Sequence, residues 1–208
     1  NDEFLDLQSE IATKLASELI GGLDASETQQ LAQKATESAE AMAEYEAGRR
    51  EWNRRNKEGF DNAIKHFEKA IELDPNYAEP YVGLADTYGL LPIYNFAEPA
   101  VAMPKAKPYA QEAIKRNPNL AIAYTSIAMV NHVYDYNWLE AEANHRKALE
   151  LNPNYATGHQ WYGEYLYQTG QTALAFEHMS KAAELDPGSK IIKCQLAFCA
   201  LLLNKIDF

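Results

Sequence analysis

Five histidines give this chain its widest choice of chemistry, because an imidazole can ligate zinc or transfer protons near neutral pH. A helical zinc hydrolase site needs two of them four residues apart, as in His-Glu-x-x-His, so that both rings lie on one face. No two histidines of this sequence have that spacing. We therefore expect a structural role for each, and neither a metal nor any other cofactor. The histidines are His66, His132, His145, His159 and His178.

The two cysteines give no sign of a redox or metal site. Cys194 and Cys199 are five residues apart, which separates them by about 140° around a helix. We expect both to be small buried hydrophobic residues, which fits a reducing compartment. The sequence also contains no glycine-rich phosphate-binding loop and no Gly-x-Ser-x-Gly nucleophile motif. These observations predict no catalytic residue and a protein that is not an enzyme.

An excess of acidic residues limits the classes of partner. The 208 residues include 19 lysines and arginines against 30 aspartates and glutamates, for a net charge of −11. Such a surface repels nucleic-acid phosphates and anionic lipid headgroups. We predict that the chain binds no nucleic acid, while its hydrophobic content of 47% is enough for a folded core.

Hydropathy predicts no membrane insertion. The longest apolar run, residues 196–203, is far shorter than the about 20 residues that span a bilayer. The opening Asn1-Asp2-Glu3 lacks the basic region of a signal peptide. We expect a cytoplasmic location, with a periplasmic domain of a membrane-anchored regulator as the alternative. Because the chain stops within a helical pattern, we interpret it as part of a larger protein.

A short phrase of Asp or Asn followed by proline occurs four times. The residue before a proline is driven out of helical conformation, and the proline then presets the turn into a new helix. Each phrase follows an amphipathic run that carries an alanine five positions before the proline. The prolines are separated by 43, 35 and 34 residues. They are Pro75, Pro118, Pro153 and Pro187, and the alanines are Ala70, Ala113, Ala148 and Ala182.

A second pattern follows each phrase. Tyr81, Leu84, Ala85 and Tyr88 have offsets of 0, 3, 4 and 7 residues, which form one stripe of a helix. The first three offsets recur after Pro118 and all four recur after Pro153, and the small residue in each stripe lets a neighbouring helix approach. With the proline phrases, this pattern resembles the tetratricopeptide repeat (TPR), a helix-turn-helix unit of about 34 residues.

The resemblance implies an all-α solenoid, a right-handed superhelix of antiparallel helix pairs. We assign residues 38–208 to about four units and the first helix of a fifth. The unit from Ala78 to Pro118 carries a nine-residue insertion, which we place in the loop around Gly89 to Pro99. Pro104 and Pro108 predict that the next helix bends or begins later than Pro99. Helices are predicted at residues 3–20, 26–35, 39–53, 59–73, 77–89, 99–116, 119–134, 138–151, 154–169, 171–185 and 188–204.

Residues 1–37 do not match the repeat. One interpretation is a pair of capping helices that cover the open end of the solenoid. The other is the end of a preceding domain, because the stretch from Asp6 to Ala12 resembles the closing helix of TolB-like domains. The phrase from Gly48 to Arg55 resembles the join in the same group of proteins. TPR arrays follow such domains in bacterial adenylate cyclases and winged-helix regulators, so this resemblance implies a bacterial signalling or regulatory parent.

The resemblance also predicts where a partner binds. The first helix of each unit lines the concave face of such arrays, which predicts a groove of acidic, semi-polar residues. Such a groove lacks the basic clamp that holds the acidic tails of chaperones, so we expect a protein or peptide partner of basic or apolar character. The predicted groove residues are Glu79, Val82, Asp86, Ile122, Thr125, Met129, His132, Thr157, Gln160, Glu164 and Tyr167.

Two other functions stay open at this point. The apolar C-terminal end, from Leu196 to Leu203, could join two copies in a homodimer. The insertion between Leu90 and Phe96 could bind a small ligand as a sensor. A cluster of Tyr134, Tyr136 and Trp138 is either an exposed patch or filler between two repeats, and we favour filler.

Overall fold

The structure is a computed structural model, and it describes residues 35–203. Within that range it has nine α-helices and no β-strand, which confirms the predicted all-α class. The helices are α1 (Ala39–Trp52), α2 (Lys57–Leu73), α3 (Ala78–Ile93), α4 (Pro99–Arg116), α5 (Ala121–Val133), α6 (Trp138–Leu151), α7 (Ala156–Gln168), α8 (Thr172–Leu185) and α9 (Lys190–Leu202). The segment 1–37, with the helices predicted at 3–20 and 26–35, lies almost wholly outside the described residues.

The proline phrases end one helix and start the next, as predicted. Asp74 has extended backbone angles after α2, and its amide donates to the carbonyl of Ala70. Its side chain then accepts a hydrogen bond from the amide of Asn76, at 2.9 Å. This Asx turn satisfies the backbone where the helix stops. The equivalent side-chain acceptors after α4, α6 and α8 are Asn117, Asn152 and Asp186.

The side chain of the sixth residue after each of the first three prolines stabilises the turn by contacting the proline carbonyl. Tyr81 donates from its hydroxyl to the carbonyl of Pro75 at 3.1 Å, and Tyr124 does the same to Pro118 at 3.0 Å. His159 Nε2 lies 3.0 Å from the carbonyl of Pro153. The repeat thus has a recurring geometry that two different donor side chains satisfy. We call α3, α5, α7 and α9, which follow the prolines, the first helices, and α2, α4, α6 and α8 the second helices.

Two compact units divide the described chain after Leu84, within α3. In the first unit, α1 packs on α2, and the fully buried ring of Phe67 forms its centre. A Cβ added to either Gly48 or Gly83 would come within 2.6 Å of that ring. The two glycines therefore leave room for the phenyl group.

In the second unit, each helix from α4 to α9 packs on the next one along the chain, and the first helices α5, α7 and α9 also contact one another in order. Small residues at the contacts allow this close packing. The alanine five positions before each proline is fully buried in both units, so these small residues lie on the packed face of the second helices. These alanines are Ala70, Ala113, Ala148 and Ala182.

The insertion is more helical than the sequence predicted. Helix α3 runs through Gly89 to Ile93 and includes Pro92, so only residues 94–98 form the loop. The burial of Leu90 and Leu91 favours the additional turn beyond Gly89. The amide of Phe96 closes the helix end by donating to the carbonyl of Leu91 at 2.8 Å.

Helix α4 extends from Pro99 to Arg116, which confirms the predicted range 99–116, and it contains both later prolines, so the alternative of a later start was wrong. Each proline leaves one carbonyl without its usual amide donor. Those carbonyls belong to Ala100 and Pro104, which are exposed, so water can satisfy them. The opposite face of α4 is buried through Ala102, Met103, Ala106, Ala110 and Ala113.

Two side-chain placements differ from the prediction. Cys199 is buried as expected, but Cys194 is exposed, and both thiols are free. Tyr136, in the loop before α6, is 70% exposed, so the favoured interpretation of this cluster as filler between repeats was wrong for that ring. Trp138, the first residue of α6, packs against His132 of α5 and Tyr165 of α7, with centroid distances of 5.1 and 6.2 Å. Tyr134 packs against Met129 and its neighbours, so these two rings fill space between helices of neighbouring repeats.

None of the helices between residues 35 and 203 combines the length and hydrophobicity required to cross a bilayer.

Candidate partner-binding site

The eleven predicted groove residues lie on the first helices α3, α5 and α7. Five of them are buried, and six are partly exposed and remain accessible to a partner. Glu79 and Val82 belong to the first unit, and the other nine belong to the second. The buried group is Val82, Asp86, Thr125, Met129 and His132. The partly exposed group is Glu79, Ile122, Thr157, Gln160, Glu164 and Tyr167.

Contacts between neighbouring helices explain the burial of Asp86 and His132. The carboxylate of Asp86 accepts a hydrogen bond from the hydroxyl of Ser126 at 2.5 Å. The ring of His132 packs against Trp138 and Tyr165, with centroid distances of 5.1 and 5.4 Å. Its Nε2 atom lies 3.0 Å from the side-chain oxygen of Gln168. Burial lowers the pKa of His132, so this ring is a neutral packing residue.

One type of contact recurs between neighbouring first helices of the second unit. The residue eleven positions after a proline meets the residue eight positions after the next proline. The first and third of these contacts are hydrogen bonds, and in the second an indole packs on a cluster that contains a methionine. The three contacts are Asp86–Ser126, Met129–Trp161 and Glu164–Gln195.

The contact at Glu164 differs from the other two because it joins a carboxylate to an amide and Glu164, unlike Asp86, is a partly exposed residue. The side-chain amide of Gln195 donates to Glu164 Oε1. Burial raises the pKa of the Glu164 carboxyl, and hydrogen bonds from Gln195 and Gln160 oppose that shift. No salt bridge joins Glu164 to a basic residue anywhere in 35–203. The carboxylate is therefore desolvated without a neutralising cation.

A second contact lies one helical turn further along. The rings of Tyr167 on α7 and Phe198 on α9 meet edge to face, with centroids 5.5 Å apart. Phe198 is 46% exposed, and Tyr167 is partly exposed. The sequence interpretation included Glu164 and Tyr167 but missed Gln195 and Phe198. The repeat period was the available signal, since both contacts join residues 31 positions apart.

Charges are divided unequally between α3, α5 and α7 on one side and the second helices on the other, while α9 carries Lys190 and Lys193. The first helices α3, α5 and α7 contain no lysine or arginine, although Glu79 and Glu164 lie on them. Burial raises the pKa of Glu79 as well. The second helices carry basic residues that pair with carboxylates of the same helix, three or four residues away. These pairs are Lys57–Asp61, Lys69–Glu72, Lys115–Glu112, Arg116–Glu112, Arg146–Glu142, Lys147–Glu150 and Lys181–Glu184.

Residues 35–203 contain no group of three or more His, Cys, Asp or Glu side chains with a metal-binding arrangement. The histidines of the second unit instead contact aromatic rings or each other. These histidines therefore contribute to packing between helices.

A family model described as TPR repeat matches residues 55–91. Among curated proteins, the chain is 26% identical over 150 residues to the transcriptional regulator HilA of Salmonella typhimurium, covering 72% of this chain and 27% of HilA. It is 24% identical over 155 residues to the protein O-mannosyl-transferase TMTC3 of Homo sapiens, covering 72% of this chain and 17% of that protein. The chain therefore spans about a quarter or less of these relatives.

Two solved structures show the same fold at low sequence identity. TTC0263, a thermophilic TPR protein of Thermus thermophilus, is 18% identical with a TM-score of 0.65. The match covers 93% of this chain and 99% of that one. The PilF protein of Pseudomonas aeruginosa is 17% identical with a TM-score of 0.58, covering 79% of this chain and 69% of that one.

Proposed function

We propose that this chain, which is a tetratricopeptide-repeat protein, is a protein-interaction module whose helices α5 and α7 bind a basic or apolar segment of a partner. The observation that carries the proposal is the absence of lysine and arginine from α5 and α7, together with the partly exposed Glu164. A desolvated carboxylate without a cation nearby favours a positively charged partner group. The same helices offer apolar contact through Ile122 and Tyr167.

The proposal excludes an acidic tail as the main ligand. A carboxylate clamp requires arginine or lysine side chains that can donate to the ligand oxygens. The basic residues of such a clamp are missing from the sequence of α5 and α7. An acidic peptide would also meet the negative charge of the whole chain.

A peptide library displayed on phage tests this function directly. We expect selection on the immobilised chain to enrich lysine, arginine and large apolar residues. Binding of the basic peptides should weaken as salt rises, because exposed charges are screened. Enrichment of acidic peptides, or recovery of no binding peptide at all, would contradict the proposal.

The parent protein is a separate proposal. The similarity to HilA, a transcriptional regulator, supports a bacterial regulatory parent in which this array is the interaction part. The resemblance to arrays that follow TolB-like domains also supports a bacterial regulatory parent. We propose a cytoplasmic location, because such a regulator acts in the cytoplasm. The sequence adjacent to Asn1 in the full gene tests this, because a signalling, DNA-binding or TolB-like domain is expected there.

A homo-oligomer is the second candidate, and the exposed apolar face of α9 favours it. Four large side chains of this helix are about half exposed, which is unusual for a soluble surface. Sedimentation equilibrium distinguishes this function, because a dimer would dissociate when two of the four are replaced by glutamate. The four residues are Ile191, Phe198, Leu201 and Leu202.

A further inference from the structure

Two side-chain contacts hold α7 and α9 together at the same surface. Glu164 accepts a hydrogen bond from Gln195, and one turn later Tyr167 meets Phe198 edge to face. Residues three positions apart on a helix lie on the same face, so the carboxylate and the aromatic pair are neighbours. Burial raises the pKa of Tyr167, and the Glu164 charge adds to that rise, as expected for groups this close.

We infer that Glu164, Tyr167, Gln195 and Phe198 form a subsite for one cationic side chain of the partner, arginine in preference to lysine. This inference deepens the proposed function and rests on it. A guanidinium group would donate to Glu164 while its methylene stem lies along the exposed ring of Phe198. The ring pair adds cation–π attraction.

Two groups of the subsite lack the partner that a cation would supply. The Glu164 carboxylate has no basic neighbour in the described residues, as shown above. The side-chain oxygen of Gln195 is buried and accepts no hydrogen bond from any described residue. A buried acceptor without a donor is costly, and the several N–H groups of a guanidinium can satisfy both oxygens. Lysine offers a more strongly hydrated point charge and stacks less well on a ring.

The equivalent contacts of the array lack these features. Asp86 is 7% exposed and already bonded to Ser126, so it has no accessible face for a ligand. The Met129 contact carries no charge. Only the contact between α7 and α9, among the three described, combines a partly exposed acidic residue with an exposed aromatic ring.

A nuclear magnetic resonance titration with small probes tests the subsite without knowledge of the partner. The probes are the N-acetyl methylamides of arginine, of lysine and of citrulline, the last being a neutral analogue of arginine. We expect arginine to shift the backbone amides of Glu164, Tyr167, Gln195 and Phe198, lysine to shift them less, and citrulline to leave them unchanged. Equal shifts from citrulline, or arginine shifts confined to other residues, would overturn the inference.

Two charge-matched variants separate this subsite from the proposed function. Glu164→Gln should weaken binding of an arginine-containing library peptide about tenfold, the effect of losing one charge-assisted hydrogen bond. Glu150→Gln makes the same change of net charge on α6, where Glu150 pairs with Lys147 at 3.4 Å, and should leave binding unchanged. If basic peptides bind wild type and both variants equally, the subsite is refuted while the proposed function stands. If the library yields no peptide, the proposed function fails and the titration alone decides the subsite.

Thermal unfolding adds a readout that a merely structural role of Glu164 would not give. The variant Glu164→Gln removes a desolvated charge and should unfold at a higher temperature than wild type near neutral pH. Weaker arginine binding together with higher stability supports a binding role. Lower stability of Glu164→Gln would instead mean that the carboxylate supports the fold, and would overturn the inference.

Discussion

His159 and His178 face each other through their Nδ1 atoms at 2.9 Å, so a histidine pair joins α7 to α8. The carbonyl of Pro153 can only accept, so His159 Nε2 donates to it. In the neutral pair, His159 Nδ1 therefore accepts from His178 Nδ1–H. Two protonated rings would place two N–H groups against each other, so the contact requires that at least one ring is neutral.

This pair predicts a loss of stability in mild acid. Burial and the nearby His159 lower the pKa of His178 to about 4, from an ordinary value of 6.5. A histidine whose pKa is lowered by folding stabilises the fold above its unfolded value, and that contribution is lost as the pH falls towards the folded value. The unfolding temperature should therefore drop between about pH 6.5 and about pH 4. His178→Gln should show a smaller drop in the same calorimetric series, and an equal drop would contradict this assignment.

Replacement of the buried His145 by phenylalanine is predicted to stabilise the fold. This ring is 1% exposed, and neither nitrogen has a hydrogen-bond partner among the described residues. Burial lowers its pKa to about 3, so it is neutral in the fold. His145→Phe keeps an aromatic ring against Tyr162 and removes two unsatisfied polar atoms, which should raise the free energy of unfolding by about 1–3 kcal/mol.

Urea unfolding measures the change at His145. The control is His145→Ala, which leaves a cavity and should lower the free energy of unfolding by about 2 kcal/mol or more. A destabilised His145→Phe variant would show that the imidazole has a partner that the contacts above do not include.

Alanine substitution of two glycines in α3 is predicted to change stability in different directions. Gly83 faces the ring of Phe67, which also lies against Gly48, so the ring has little room to move. Gly83→Ala should destabilise the first unit by about 1–3 kcal/mol through overpacking. Gly89 faces the flexible methyl end of Met129, and Gly89→Ala should be neutral or gain up to about 1 kcal/mol of helix propensity. Chemical denaturation of the two variants tests the contrast, and equal effects would contradict it.

Replacement of the partly exposed Lys107 on α4 is predicted to lower the stability of the fold. Its ammonium group donates to Asn131 at 2.7 Å and pairs with Asp135 at 2.6 Å. Asn131 is fully buried, so Lys107→Met would leave its side-chain oxygen without a donor. The expected cost is about 1–3 kcal/mol. Lys115→Met on the same helix removes only an exposed pair and should cost about 0.5 kcal/mol or less. Thermal unfolding compares the two.

Much of the fold was predictable because its determinants are local. The Asp or Asn before each proline specifies where a helix ends, since the side chain and the proline ring act on their own backbone. The buried alanines, such as Ala70 and Ala148, follow from helical spacing within one helix. The end of α3 was mispredicted because the burial of Leu90 and Leu91 favours a longer helix. The helix-breaking residues near this point in the sequence do not contain that information.

The binding site was less predictable because it depends on neighbours far along the chain. Periodicity indicated which face of α7 carries Glu164 and Tyr167, but not that Gln195 and Phe198 lie opposite them.

The sequence by itself thus determined the helices, their order, the repeat and the absence of basic residues from α3, α5 and α7. These properties reside in single residues and short spacings. Only the tertiary structure decided that Asp86 is buried beside Ser126 while Glu164, at the equivalent position of a later repeat, stays partly exposed. The physical reason is that desolvation of a carboxylate is set by the side chains packed around it, and these come from another helix of the array.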